Sequence, residues 1–420
     1  MGATEEFDMS VAAYRETPSF QNELFTSSKL WYQYRGFKGF WSILENDSFR
    51  ATDARFSNDS EEQRFGTKIM RRLPPGDGSG VDSEFNEDYI VCFCAEDDKL
   101  SQWRGYAPDG GASIGFDFNA AAPFYIPLAD KQLDYDMKKD DYQSRFVYAG
   151  RVCYLPPNSG ELNSDAYYQK CADIISYPFN LDKGDHGVNE QILKRCAPFI
   201  KHAGFREENE LRLVFRNEDG KLSPCVHYRE IDKNGARCPY IIVRPGNPAF
   251  VEQSCVARLC LRPGSDKSDE LLSLLPSVPG LLKVENCCQM EDGGDLDDDF
   301  CFGCTRRRQM NDYSVDKPCR YKIPHDGAFE WGVQNDEHSV IISQGKKQEE
   351  VFKEIYPLVK KVDPSISVWC EGHLPIRSIT VGPCIRQKEV TESIVHYCRH
   401  VYWLRDVVVK ASHIPFRRPM

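Results

Sequence analysis

The stretch Asp88–Phe118, DYIVCFCAEDDKLSQWRGYAPDGGASIGFDF, constrains the chain most. Tyr89–Cys94 is an apolar run too short for a helix and reads as a strand. A charged turn (Glu96, Asp97, Asp98) and a polar-aromatic segment (Ser101–Tyr106) follow. Gly110 and Gly111 then open a second strand, in which Ala112, Ile114, Phe116 and Phe118 alternate with Ser113, Gly115 and Asp117. A strand that stops at a tight polar element and restarts at a glycine pair reads as a site wall or as a hairpin with an ordinary connection.

On either side of this stretch the patterns alternate between strands and short helices. Leu30–Tyr34 is strand-like, and Phe37, Phe40, Trp41 and Leu44 recur at helical spacing up to Asn46-Asp47. Phe49–Thr52 is a short strand, followed by a loop with Asx-turn chemistry at Asn58 and Asp59. Ile192, Leu193, Cys196, Phe199 and Ile200 predict a helix over Asn189–Lys201. In the strand that follows, Asn209, Leu211, Leu213 and Phe215 face one way and Glu208, Glu210 and Arg212 the other. Three charged groups on one strand face make either a solvated surface or the floor of a polar cleft.

The C-terminal half shows strand–helix–strand units: Val256–Leu261 with a helix over Asp269–Leu275; Ser339–Ser343, Lys347–Lys361 and Ile366–Trp369; then Ile379–Val381, Lys388–Tyr402 and Val407–Lys410. The expected fold is therefore α+β, a β-rich N-terminal core with peripheral helices followed by a smaller α/β layer. Residues 1–28 read as a leader, 29–254 as the core, and 255–284 with 336–420 as the α/β portion. Residues 285–335 form an acidic, Cys-containing insert. There, Cys301-Phe-Gly-Cys304 has zinc-knuckle spacing that Cys287 or Cys288 with Cys319 would complete, but a second close cysteine pair at the proper spacing is missing, so zinc is not expected.

With 41% hydrophobic residues, the chain can bury a substantial core. Its net charge of -11 argues against a broad, charge-driven grip on nucleic acid or anionic membrane. No apolar run approaches the roughly 18 residues of a membrane span. Seventeen cysteines without an export signal read as reduced thiols of a cytoplasmic protein. Phosphate-loop and nucleophile-elbow motifs are absent. His396 and His400 are four apart, but no carboxylate adjoins His396 as the zinc-protease helix requires.

Several motifs in this order resemble a bacterial family known as domain of unknown function 2971. They are Tyr34-Arg35, Ile43-Leu44, Phe56-Ser57-Asn58-Asp59, Cys92–Cys94, Trp103–Ala107, Ile114–Phe116 and Glu208-Asn209-Glu210-Leu211-Arg212. Where the family often has Pro after Asn-Asp, this chain has Ser60. The resemblance implies an accessory to phage defence or toxin systems. The order of Arg35, the Ser101/Trp103/Tyr106 element and the Glu-x-Glu strand is also similar to the Arg–Ser–Glu arrangement of NAD-dependent ADP-ribosyltransferases.

That resemblance implies NAD as substrate and gives each residue a role. A carboxylate beside the ribose, Glu210, would stabilise an oxocarbenium-like transition state. Glu208 would orient the acceptor, an unknown protein or nucleic acid, and Ser101 would support Glu210. Arg35 would clasp the pyrophosphate, with Arg212 beside it in the cofactor site, and Trp103 or Tyr106 would stack on the nicotinamide. Against this stand Arg35 as a helix-capping ion pair, Trp103 as core, and Glu208/Glu210/Arg212 as an ion network. Two other functions compete with it. One is a non-catalytic interaction module. The other is a metal-dependent nuclease using Asp117, Glu208 and Glu210.

Overall fold

The computed structural model describes residues 30–56, 62–71, 88–117, 124–129, 142–144, 148–155, 171, 196–217, 220–230, 237–245, 255–261, 265–278, 281–286, 337–343, 348–370 and 373–415. The leader, the Asn58-Asp59 loop and Cys287, Cys301, Cys304 and Cys319 lie outside the described residues.

The chain is α+β around a large mixed sheet. It begins with β1 (Trp31–Gly36), α1 (Phe37–Asn46) and β2 (Phe49–Asp53), then α2 (Glu62–Arg71), β3 (Asp88–Cys94), α3 (Leu100–Tyr106) and β4 (Gly111–Phe116). Short strands β5 (Phe124–Pro127), β6 (Tyr142–Ser144), β7 (Tyr148–Arg151), β8 (Cys153–Leu155) and β9 (Ile200–His202) follow. Next come β10 (Glu210–Arg216), β11 (Val226–Glu230) and β12 (Arg237–Pro245). The C-terminal part holds β13 (Cys255–Leu261), α4 (Asp266–Leu274), β14 (Leu281–Asn286), β15 (Glu337–Ser343), α5 (Gln348–Val362) and β16 (Ser367–Cys370). It ends with β17 (Ile376–Val381), α6 (Gln387–His400) and β18 (Val408–Ala411).

Among the described residues the large sheet has twelve strands, with the path β18-β17-β4-β1-β3-β2-β12-β5-β6 and β10, β7 and β11 added at its side. β3 is its hub. β10 pairs along its whole length, whereas the opposite edge is shared: β1 meets it at Cys94 and β2 at Ile90 and Tyr89. Between these two contacts the sheet forks, level with Cys92.

Alternation decides the faces. Tyr89, Val91 and Phe93 of β3, Leu211, Leu213 and Phe215 of β10, and Phe116 of β4 are buried in one core with Phe40, Ile43 and Leu44 of α1. Edge-to-face ring contacts, such as Phe49 on Phe116 at 4.9 Å, fix their packing. The other face carries Cys92, Cys94, Glu210, Arg212 and the Tyr34–Trp103 cluster. It is the face on which chemistry is available.

β13–β16 form a separate four-stranded sheet, order β14-β15-β13-β16, packed through Leu259 and Leu261 on α4 and α5. β17 and β18 do not belong to it, although the sequence groups them with that layer. β17 pairs antiparallel with β4 and parallel with β18, so residues 376–411 complete the large sheet.

The charged turn after β3 anchors them. Thr380 Oγ1 donates to Asp97 Oδ2 at 2.9 Å, and Lys410 Nζ lies 2.8 Å from the same oxygen. The Asp98 carboxylate accepts from Trp103 Nε1 (2.9 Å), His413 N (2.8 Å) and the Ser412 hydroxyl. At the sheet's far side, Asp47 accepts from Leu374 N at 2.9 Å and bonds His373 Nδ1 at 2.8 Å.

Candidate functional site

The site is built from five segments converging on Cys92. The predicted helix over Asn189–Lys201 is not what forms at its described end: Ala197–Phe199 is a 3-10 turn and Lys201 lies in β9, parallel to β8. The Glu-x-Glu-x-Arg run is likewise not one strand. Ala203–Glu208 is a 3-10 helix, and Asn209 turns the chain with φ 45° before β10 begins at Glu210. Asn tolerates this left-handed conformation. Its side chain is also held at both ends, by Arg151 Nη1 (2.7 Å) and Glu96 Oε1 (2.7 Å). Consequently Glu208 and Glu210 occupy different settings.

Glu210 is buried. Its carboxylate accepts a forked pair from Arg212, Nε to Oε1 at 2.7 Å and Nη2 to Oε2 at 2.8 Å, and a further bond from Lys201 Nζ at 3.2 Å. Arg212 Nη1 also donates to the Pro198 carbonyl, and the Glu210 amide donates to the Tyr154 hydroxyl at 2.9 Å. Burial pushes the Glu210 carboxyl upward and Lys201 pulls it back. The Arg212 fork acts in the same direction as Lys201, but burial is the largest influence and holds the carboxyl above its usual range. Burial alone would lower the Lys201 ammonium, but Glu210 and Glu208 together hold it above its usual range.

Glu208 is the accessible carboxylate, its side chain 30% exposed, with Oε2 2.5 Å from Lys201 Nζ. Two carboxylates and two cations thus form a nearly neutral quartet, with Glu208 at its open end.

Cys92 is reached by solvent yet lies deep among protein atoms. Burial and then the Glu210 carboxylate, to which the thiol donates, hold its pKa well above the usual thiol range. Cys92 is therefore a neutral donor in the middle of this group of side chains. Tyr106, 41% exposed at the end of α3, stands in the electrostatic field of Glu208, Cys92 and Glu210. Arg35 reaches the fork from the end of β1. Burial lowers its guanidinium, and Cys92 and Tyr106 are among the groups that act on it.

Arg35, Tyr106, Glu208, Glu210 and Arg212 are thus brought together. The other expected positions are not. Trp103 is 3% exposed: Tyr34 packs edge-on at 4.6 Å, Gly382 backs the ring, and Asp98 takes its N–H, so no face is free for a ligand. The Ser101 hydroxyl is buried with no hydrogen bond among the described residues, and Glu210 is supported by Arg212, Lys201 and Cys92 instead. Arg35 makes no hydrogen bond or ion pair among the described residues, so it does not act as a helix-capping ion pair.

Asp117 is separated from the carboxylates. Glu210 pairs with Cys94, Cys94 with Tyr32 and Tyr32 with Gly115, three strand spacings or about 14 Å. Asp117 lies beyond Gly115 beside Arg377, at 3.6 Å, and the nuclease trio does not assemble.

Sequence reasoning missed Lys201 and Tyr154, for which no local signal exists, and gave Cys92 no role in the site. The alternation of Tyr89, Val91 and Phe93 against Cys92 and Cys94 already places Cys92 off the core face.

No helix among the described residues is long and apolar enough to cross a membrane. No curated protein and no solved structure matches the chain. Residues 102–213, which carry Tyr106, Lys201, Glu208, Glu210 and Arg212, match the model of a family described as protein of unknown function (DUF2971).

Proposed function

We propose that this cleft binds NAD and breaks its nicotinamide–ribose bond, in the manner of an ADP-ribosyltransferase. The observation that carries the reading is the convergence of Arg35, Tyr106 and the Glu208/Glu210 pair around Cys92 from separate parts of the chain.

Arg35 offers a guanidinium with no ion pair among the described residues, suited to a pyrophosphate. The exposed Tyr106 ring offers a stacking surface for the nicotinamide. Glu208, at the open end of the quartet, is the carboxylate that a ribose can approach. Glu210, locked by Arg212, is a positioning residue that holds Lys201 and Cys92. As the C1–N bond breaks, its electron pair leaves with neutral nicotinamide and positive charge develops on the ribose, where Glu208 stabilises it. The acceptor's O–H or N–H group then bonds C1 and gives its proton to Glu208 or to water.

The quartet's near-neutrality favours a second reading, a binding module that holds NAD or ADP-ribose intact. The two are separated by titrating the protein with ADP-ribose while following nicotinamide release from NAD. The transferase requires both, with Arg35→Gln and Tyr106→Ala weakening binding. Binding without release selects the module, and the absence of both refutes the cleft as an NAD site.

A further inference from the structure

Three arginines lie along one edge of α1 and a fourth beside β2, none with a carboxylate partner among the described residues. The stem of Arg35 lies against Gly39, where an added Cβ would sit 3.5 Å from Arg35 Cβ. One turn on, Arg50 Nη2 donates to Ser42 Oγ at 3.1 Å. A further turn on, Arg244 Nη2 donates to the Asn46 carbonyl at 2.9 Å. Gly39, Ser42 and Asn46 share one helix face, so these arginines meet α1 over about 10 Å of its axis. Arg229 joins from β11, donating to Thr52 Oγ1 at 3.3 Å, two residues along β2 from Arg50.

Guanidinium groups gathered in this way make a local positive field in a chain of net charge -11, suited to holding an anion. Burial, and then the neighbouring Arg229 and Arg50, act to lower the Arg35 guanidinium. Aromatic rings sit within the row. The Arg50 guanidinium lies 5.6 Å from the Tyr240 ring centroid, and His227 lies nearly parallel to Tyr240 at 5.4 Å. Arg50 and Arg229 are exposed, and Tyr240 and His227 are half-buried.

We infer that this arginine row binds a single-stranded nucleic acid, with its phosphates on the guanidinium groups and a base against the Tyr240–His227 pair. The row is longer than one phosphate, which favours a strand over a phosphopeptide, and planar side chains between cations suit bases. A short row of arginines is compatible with a net charge of -11. The inference does not require NAD cleavage. Where both hold, the row begins at Arg35 in the cleft, and the strand is the acceptor.

The test is fluorescence anisotropy of a labelled single-stranded oligonucleotide and of a labelled phosphoserine peptide, without NAD, across a salt series. Three or four neutralised phosphates give a slope of log K against log salt of about -2 to -3 for the oligonucleotide. Arg50→Gln/Arg229→Gln, with an unchanged melting temperature, should make the slope shallower by about 1.4. Should that variant fail to fold, Arg244→Gln should make it shallower by about 0.7. Absence of oligonucleotide binding, an unchanged slope, or tighter binding of the phosphopeptide overturns the inference. Nicotinamide release that persists without oligonucleotide binding leaves the NAD reading intact, and the converse leaves this one intact.

Discussion

Replacing one member of the Glu210–Arg212 pair should cost more than replacing both. The two side chains are 6% and 4% exposed and joined by bonds of 2.7 and 2.8 Å, so neither charge has water to fall back on. Arg212→Met leaves Glu210 with Lys201 and the Cys92 thiol and removes the Arg212 donor from the Pro198 carbonyl; Glu210→Leu takes the forked carboxylate away from a buried guanidinium. Each single change should destabilise the fold by about 3–5 kcal/mol.

The double variant removes both charges and leaves Lys201 paired with Glu208 at the cleft mouth. Its remaining cost is the loss of the Arg212 donor at the Pro198 carbonyl, about 1–3 kcal/mol, less than either single change. Urea unfolding followed by tryptophan fluorescence measures all three, with a constant slope on denaturant showing that only stability changed. Single costs below about 1 kcal/mol would mean that water reaches the pair, as at exposed salt bridges. Additive single costs would mean that the two residues do not act as a unit.

Three further outcomes follow from the same contacts. Cys92, though accessible, should alkylate slowly at mildly alkaline pH and speed up only well above the usual thiol range; Glu210→Gln, by removing the carboxylate that helps hold the proton, should accelerate it, as read by site-resolved mass spectrometry. Tyr34→Phe should cost about 1–3 kcal/mol, because the Tyr34 hydroxyl both donates to the Glu96 carbonyl (2.8 Å) and accepts from the Lys99 amide (2.9 Å), and equilibrium unfolding measures it. Asp98→Ala should release the chain after β18, raising hydrogen exchange at Ser412–Ile414 more than in β1–β4, because three donors lose one carboxylate.

Local patterning carried much of the fold. The alternation within Asp88–Phe118 corresponds to β3 and β4, and the apolar spacing over Phe37–Leu44 matches a helix that buries Phe40, Ile43 and Leu44. What escaped was decided by distant partners. Nothing near Ile379 states that its strand adds to β4, since that pairing closes a loop of more than two hundred residues. The acidic turn Glu96–Asp98 looks like a solvated connection until Thr380, Lys410 and Ser412 arrive to bond it.

The site was legible in its residue types but not in their roles. Glu208 and Glu210 share a parity that a continuous strand would turn to one face, and only the left-handed Asn209 separates an accessible carboxylate from a locked one. Trp103 and Tyr106 lie on one short helix, yet the first is sealed behind Gly382 and the second is open.

The most direct measurement of the central claim is nicotinamide released from NAD by the wild-type protein and by Glu208→Gln, with folding checked by thermal melting. The account predicts release by the wild type and a loss of about a hundredfold or more in the variant. A wild type that releases none in the presence of protein and oligonucleotide acceptors, or a Glu208→Gln variant as active as the wild type, would contradict it.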